Sequence, residues 1–477
     1  MTTALGGRSI RVGDATVVLI VAVAVAALVA RFLGLGISPP GFYEDEAIAS
    51  AQLVCLKYTG ADAGGQAWPL ISSIGIGPAN AFWTPLWIYP GLGWITVFGD
   101  SPAALRSFEA LLSVIGVVAT AGVARNFLGN RVAAWTLLIG AVSPWSWTLG
   151  RLAFGNSAIT GVALLMTGLW LFTRGGLRRP PRWFEAFGGS LLVASAAVVN
   201  HTRLVAVVML VLIGAVLIRR HLVDRVVLVS AGLGFFLAAI PVLVDGGRAR
   251  LWSRAAETSV FSDPSLPASG VARITAAIGL VIGNVFKHLS PDFLLFSGDP
   301  NQRHSTQIVG QLGWLEVLLV VVTPVAIALV LRRSVGVGVP RVYLVMVAAG
   351  VLTVLLSASA TNEALPHALR MFPAQAFLAL GLGLVGAVIT ERWRLFPIVG
   401  VAVSLLFAAF FIPRYFGEYP KSAARVFDVE IVAAAERARE SGDAEGFFRS
   451  MQVGYVRTAA VYFMAADTGW QCPGELR

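Results

Sequence analysis

The stretch Ser38-Pro39-Pro40-Gly41-Phe42-Tyr43-Glu44-Asp45-Glu46-Ala47 follows directly on the first long apolar run of the chain, and its reading decides the fold. Two prolines and a glycine end the run, because proline cannot continue a helix and glycine admits a sharp turn. Three adjacent carboxylates come next, where one helix leaves a membrane and another begins. Carboxylates against a bilayer are expensive to keep and are read as functional by default. A solvated turn would not need three of them flush against a span, so they are placed in the active site of a membrane-embedded enzyme.

Composition sets the class. The 477 residues are 57% hydrophobic and 13% charged, against roughly 25% charged residues in ordinary globular domains. Runs such as Ala15–Leu33, Leu204–Ile218 and Val309–Leu331 approach or exceed the roughly 20 apolar residues that cross a bilayer. The chain is therefore a polytopic membrane protein. Its first run lacks a small-residue cleavage site before the proline turn and reads as a retained span, not a signal peptide. The net charge of +10 sits on arginines in short loops between apolar runs. That is the positive-inside pattern, so topology accounts for the charge and a nucleic-acid partner is excluded. The two cysteines, Cys55 and Cys472, have no metal-ligand spacing and read as unpaired thiols.

Arg8 and Arg11 put the N-terminus in the cytoplasm. Glu44 to Tyr58 predicts an amphipathic helix, followed by a Gly-rich loop over 59–78. The piece 82–98, aromatic and broken by Pro85, Pro90, Gly91 and Gly93, is long enough to cross, so charge must decide. If it crosses, the loops holding Arg125/Arg131, Arg174/Arg178/Arg179/Arg182, Arg219/Arg220/Arg225, Arg332/Arg333/Arg341 and Arg392/Arg394 fall outside. If it lies in the outer interface, all of them fall inside, as the positive-inside rule requires. The spans then run near 15–33, 103–124, 132–149, 157–173, 184–200, 204–218, 226–244, 308–331, 342–359, 371–390 and 395–413, eleven in all. Large outer loops are expected at 34–102 and 245–307. The second carries an amphipathic stretch at Val271–Leu289, and a structureless loop of its length is uncommon, so it reads as a lid or binding loop. Residues 1–413 form the membrane domain, and 414–477 a small extracytoplasmic tail with helical spacing over Val426–Arg439.

Sorted by this topology, Glu44, Asp45, Glu46, Arg106, Arg151, His201, Arg203, Lys287, His288, Arg303, His304, His367 and Arg370 share the outer side, four of the five histidines among them. A carboxylate beside several cations suits a hydroxyl nucleophile and an anionic leaving group. The acid takes the proton from the attacking hydroxyl, and the cations stabilise charge on a departing phosphate. Taken singly, an Arg or His at a span end is most often an interface anchor or a partner for backbone carbonyls. Ser143-Pro144-Trp145-Ser146-Trp147-Thr148-Leu149-Gly150-Arg151 reads equally as an aromatic belt with a snorkelling arginine or as a phosphate clamp. Asn200-His201-Thr202-Arg203 is more polar than a short turn requires. His304 reads as either a ligand or a turn residue. Pro366-His367-Ala368-Leu369-Arg370 opens a span, near a helix N-terminus whose amides favour anions. No Walker, Rossmann, HExxH or GxSxG motif is present.

Pro39-Pro40-Gly41-Phe42-Tyr43-Glu44-Asp45-Glu46-Ala47 after an N-terminal span resembles the membrane glycosyltransferases of GT-C fold, in particular the protein O-mannosyltransferase and lipid A aminoarabinose transferase group (glycosyltransferase family 39-like). Asp45-Glu46 matches the acidic pair that the group carries in its first outer loop. The likeness continues through Trp83-Thr84-Pro85-Leu86-Trp87-Ile88-Tyr89, Phe98-Gly99-Asp100-Ser101-Pro102 with Leu105-Arg106, Ser143-Pro144-Trp145 with Arg151, and His367-Ala368-Leu369-Arg370. It covers roughly residues 10–410 as an order of short elements. The resemblance implies an all-α, multi-pass membrane fold with surface helices in the first loop, an outer active site and a polyprenyl-phosphate sugar as donor. It further implies Asp45 as catalytic base with Glu46 in support, and Arg151, Arg203, Arg303, His304, His367 and Arg370 as candidates for the donor phosphate. Many relatives carry Lys before the Pro-Leu pair where this chain has Thr84, which shifts the phosphate role toward the arginines.

The reading is thus an inverting glycosyltransferase of the cell membrane, transferring from a polyprenyl-phosphate sugar to a hydroxyl on a glycan, lipid or protein, in contact with membrane lipid. No cofactor is required by any motif. A divalent cation held by Asp45, Glu46 and a histidine stays open, without a ligand spacing to support it. The rival reading is a transporter or flippase of a lipid-linked sugar. Such proteins place charges at mid-membrane on broken helices and show internal repeats, whereas these charges lie at the outer boundary.

Overall fold

The computed structural model describes residues 12–76, 79–155, 157–175, 182–219, 225–247, 251, 253–332 and 339–443. It is built almost wholly of helix, as a chain with this much apolar sequence must be: in lipid every backbone N–H and C=O has to be satisfied within its own segment. In chain order the helices are α1 (Val12–Ala30), α2 (Glu44–Thr59), α3 (Pro85–Phe98), α4 (Pro102–Leu128), α5 (Asn130–Val142), α6 (Pro144–Leu149) and α7 (Ala158–Gly175). There follow α8 (Trp183–Ala196), α9 (Arg203–Arg219), α10 (Arg225–Asp245), α11 (Ser253–Thr258), α12 (Gly270–His288) and α13 (Trp314–Leu331). The series closes with α14 (Arg341–Ser359), α15 (Ala368–Met371), α16 (Pro373–Arg392), α17 (Phe396–Gly417), α18 (Tyr419–Ala423) and α19 (Val429–Ser441).

Each of the eleven expected spans coincides with a helix, and the breaks have local causes. The span at 132–149 is divided into α5 and α6 at Ser143-Pro144, where proline removes a helix donor. Helix α8 is shorter than expected and ends in a turn before Thr202. Helices α4, α5, α7 and α16 pack together as the centre of the bundle, with α1 against α5 and α8 against α7 and α10. Small residues let these backbones approach closely. A Cβ at Gly383 would collide with Thr136, and one at Gly168 with the Gly189 carbonyl.

The first loop is more structured than a Gly-rich reading suggests. Strands β1 (Ser72–Ile76) and β2 (Ala79–Trp83) pair antiparallel, with Ser72 opposite Trp83. Helix α2 runs from Glu44 to Thr59, one residue beyond the expected end, and closes on left-handed Gly60. It packs with α3 and with Ala435 of α19 in a second apolar core. The described part of the tail therefore lies against the first loop, and α17 continues to Gly417, past residue 413. Cys55, fully buried on α2, is disulfide-bonded, which corrects the expectation of an unpaired thiol. Cys472, Arg8, Arg11, Arg178 and the tail from 444 lie outside the described residues.

Helix α12 is also long and apolar enough to cross a membrane, although the sequence places it within an outer loop. The flanking chain decides between the two. Before α12, Val260 donates to the Ala360 carbonyl; after it, His304 stacks on His367 at 4.7 Å. Both flanks thus meet the single connector between α14 and α16, so α12 leaves from and returns to one face. Its open side carries Val271, Ile274, Ile278, Ile282 and Phe286, all exposed.

Candidate active site

On the face where the first loop, the α8–α9 turn, the loop after α12 and the α14–α16 connector meet lies a cavity of about 630 Å³. Asp45 reaches it from the first turn of α2, His201 and Arg203 from the α8–α9 turn, Arg303 and His304 from the 298–307 loop, and His367 and Arg370 from the last connector. Four segments spread along the chain from Asp45 to Arg370 thus bring their ionisable side chains to one place.

The three acids part company at once. Asp45 is exposed at the cavity. Glu46, one residue on, is fully buried and fully engaged. Its Oε1 accepts from Arg106 Nε at 2.9 Å and from the Ala153 amide at 2.8 Å, and its Oε2 accepts from Arg106 Nη2 at 2.7 Å. Arg106 also donates to the carbonyls of Leu35, Pro39 and Gly41, so one ion pair fixes the whole proline turn against α4. Bidentate geometry with every remaining proton satisfied is the condition under which a buried pair holds. Glu44 is not the solvated neighbour its position suggests. It is half-buried, its amide donates to Asp428 Oδ2 at 3.2 Å, and its Oε1 has no hydrogen-bond partner. Burial, then the charges of Asp45 and Asp428, raise its pKa to about 7. Tyr43 lies in the same corner, fully buried beneath the Arg303 guanidinium at 4.6 Å, and burial with the neighbouring carboxylates pushes its phenol well up.

Not all expected cations reach the cavity. Arg151 is buried and donates to the carbonyls of Arg31, Leu33 and Ser38 and to the Tyr415 hydroxyl. Its guanidinium is thus held by backbone behind the loop, neither snorkelling to an interface nor lining the cavity. Arg203 borders the cavity, yet its guanidinium donates to the carbonyls of Ala197, Val198 and Leu251 and to Asn200. Arg370 pairs with Glu363 at 2.8 Å and donates to Thr361. Arg303 donates through Nε to the Val426 carbonyl at 2.7 Å, and among the described residues no other hydrogen bond occupies its guanidinium. His304 and His367 stack face to face, both against Asp299.

Sequence reading passed over two acids. Asp299 sits in a Gly-Asp-Pro-Asn turn and lies against His304 and His367. Glu109 is an acid inside a span, the usual sign of function in a membrane. It is fully buried and accepts from Trp87 Nε1 at 2.7 Å, tying α3 to α4.

The described residues form a multi-pass bundle of apolar helices, with α2 and α3 in the first loop and Asp45, Arg303 and Arg370 lining one cavity. Residues 85–244, about a third of the chain, match the sequence model of the family described as dolichyl-phosphate-mannose-protein mannosyltransferase. No curated protein sequence matches the chain. Among solved structures, ArnT from Cupriavidus metallidurans bound to undecaprenyl phosphate is similar at 16% identity and a TM-score of 0.49, over 95% of this chain and 75% of that one. Oligosaccharyltransferase AglB from Archaeoglobus fulgidus, in complex with an inhibitory peptide and a dolichol-phosphate, is similar at 11% identity and a TM-score of 0.45, over 85% of this chain and 56% of that one.

Proposed function

We propose that the chain is an inverting glycosyltransferase that moves a sugar from a polyprenyl-phosphate donor to a hydroxyl at the outer face of the membrane. The observation that carries this is the separation of roles within one cavity. Asp45 is an accessible carboxylate at its wall, and Arg303 and Arg370 present guanidinium charge to the same space. Asp45 takes the proton from the acceptor hydroxyl as that oxygen attacks C1 of the sugar from the face opposite the phosphate. The C1–O bond to the phosphate breaks, and the arginines stabilise the charge left on the lipid phosphate. Glu46 acts as a positioning residue, since its pair with Arg106 fixes the turn from which Asp45 projects. Arg151 and Arg203 support the backbone around the cavity in this reading, and Arg303 with Arg370 takes the phosphate.

The loops 34–102 and 245–307 face outward in this arrangement, with arginine-rich loops on the cytoplasmic side. The disulfide-bonded Cys55 in the first loop supports that orientation, because such bonds persist in oxidising compartments. The test is transfer by purified protein from a panel of polyprenyl-phosphate hexoses and pentoses. Asp45→Asn at the wild-type rate would remove the base assignment. Movement of donor across proteoliposomes without any glycosylated product would favour the flippase instead.

A further inference from the structure

Asp299, His304 and His367 come from two connectors and converge at the edge of the cavity. We propose that they bind a divalent transition-metal ion of the zinc class. Asp299 Oδ2 lies 3.2 Å from Nδ1 of His304 and 3.9 Å from Nδ1 of His367. One ligand atom from each of the three lies within 4.8 Å of the others. Metal–ligand bonds of about 2.0–2.1 Å in a tetrahedron put neighbouring ligand atoms about 3.3 Å apart. The Asp299–His304 edge already has that length, and the His367 edge is within a small side-chain shift of it.

A plain hydrogen-bonded cluster does not satisfy these groups. A single proton on His304 completes its contact with Asp299, but His367 Nδ1, on a residue only 8% exposed, still has no hydrogen-bond partner. Buried polar atoms are rarely left in that state. The two imidazole rings stack at 4.7 Å with their planes 20° apart, which sets two nitrogens beside one carboxylate. One cation between them satisfies all three at once.

The surroundings are those of a built site. Asp299 is held by the amides of Asn301 at 2.8 Å and Ala368 at 2.7 Å, and the His367 amide donates to His288 Nε2 at 3.1 Å. Outer partners of this kind orient ligands for a metal. Two nitrogens and one carboxylate oxygen favour zinc, cobalt or nickel over magnesium or calcium. Three protein ligands leave a fourth position, and both histidines line the cavity, so that position is open to water or to an anionic oxygen.

The proposal stands apart from the transferase reading and is tested without activity. Full-length protein is purified in detergent through a tag that contains no histidine, stripped with EDTA, and titrated with zinc and with cobalt. Wild-type protein should retain one equivalent of zinc after desalting, and His304→Ala, His367→Ala and Asp299→Asn should each weaken it by at least about tenfold. X-ray absorption of the zinc-loaded wild type needs no variant and should show two imidazoles with oxygen ligands. Wild type that retains no zinc or cobalt, fewer than two imidazoles in the spectrum, or unchanged binding in a folded His367→Ala protein would each overturn the site.

Discussion

Asp45 and Glu46 are adjacent in sequence and opposite in circumstance. Glu46 is sealed against Arg106 with no solvent contact, while Asp45 stands exposed at a cavity bordered by Arg303 and Arg370. The same contrast holds among the cations. Arg31, Arg106 and Arg151 are fully buried and held by backbone carbonyls, whereas the Arg303 guanidinium lies over Tyr43 and, among the described residues, gives one hydrogen bond, to the Val426 carbonyl. In this molecule charge at the membrane boundary serves two ends. One set holds the loop in shape, and the other is left accessible for chemistry.

Substitutions should separate the two sets. The largest effect is expected for Asp45→Asn, a loss of roughly 10²–10⁴ in transfer rate, as for removal of a general base, with the thermal midpoint unchanged. A matching loss of stability would place Asp45 with Glu46. Glu46→Ala should behave oppositely, destabilising the fold by about 3–5 kcal/mol because Arg106 remains buried without its partner. Thermal unfolding in detergent reads this directly. Arg303→Ala should raise the KM for a lipid-phosphate donor by about tenfold or more, the scale of one charge-assisted contact, with little change in unfolding.

Glu44 sharpens the boundary between the sets. Its folded pKa of about 7 lies above the ordinary 4.5, so the folded chain holds a proton that the unfolded chain has released. The contribution of Glu44 to stability is therefore greatest below about pH 4.5 and is lost as pH rises through 7. For a half-buried carboxyl, solvent screening reduces the effect to about 1 kcal/mol between pH 5 and 8. Glu44→Gln should flatten that slope in thermal scans; an unchanged slope would assign it to another group. The smallest effect belongs to the rim pair Lys57–Asp100, at 2.8 Å and partly exposed. Lys57→Ala should cost under about 1 kcal/mol.

What was legible from sequence follows the same division. Spans are announced by apolar length, and the start of α2 by two prolines, a glycine and the acids behind them. The inward placement of the arginine loops then brought His201, Arg303, His304, His367 and Arg370 to one side, and the structure gathers them at one cavity. Sequence does not say which way a guanidinium turns once there. Arg151 and Arg303 look alike in the chain, but one meets carbonyls of the first loop and the other meets Tyr43 and open space. Asp299 was hidden because a turn residue and a ligand share the same local signature, and the hairpin of β1 and β2 because its flanks are rich in glycine. The pairing of Cys55 depends on distance in space, which no spacing in the chain conveys.

The Arg31 guanidinium bears on how the protein is made. Arg31 stands just beyond α1, yet it donates to the carbonyls of Gly140 at 2.7 Å and Ala141 at 3.1 Å and to the Ser113 hydroxyl. Those acceptors leave the ribosome long after α1. Until they arrive, Arg31 must keep its charge in headgroup water, because a guanidinium is not left facing lipid tails. The C-terminal end of α1 is therefore unsettled until those acceptors are made. Its final seat is taken only when α4 and α5 come alongside.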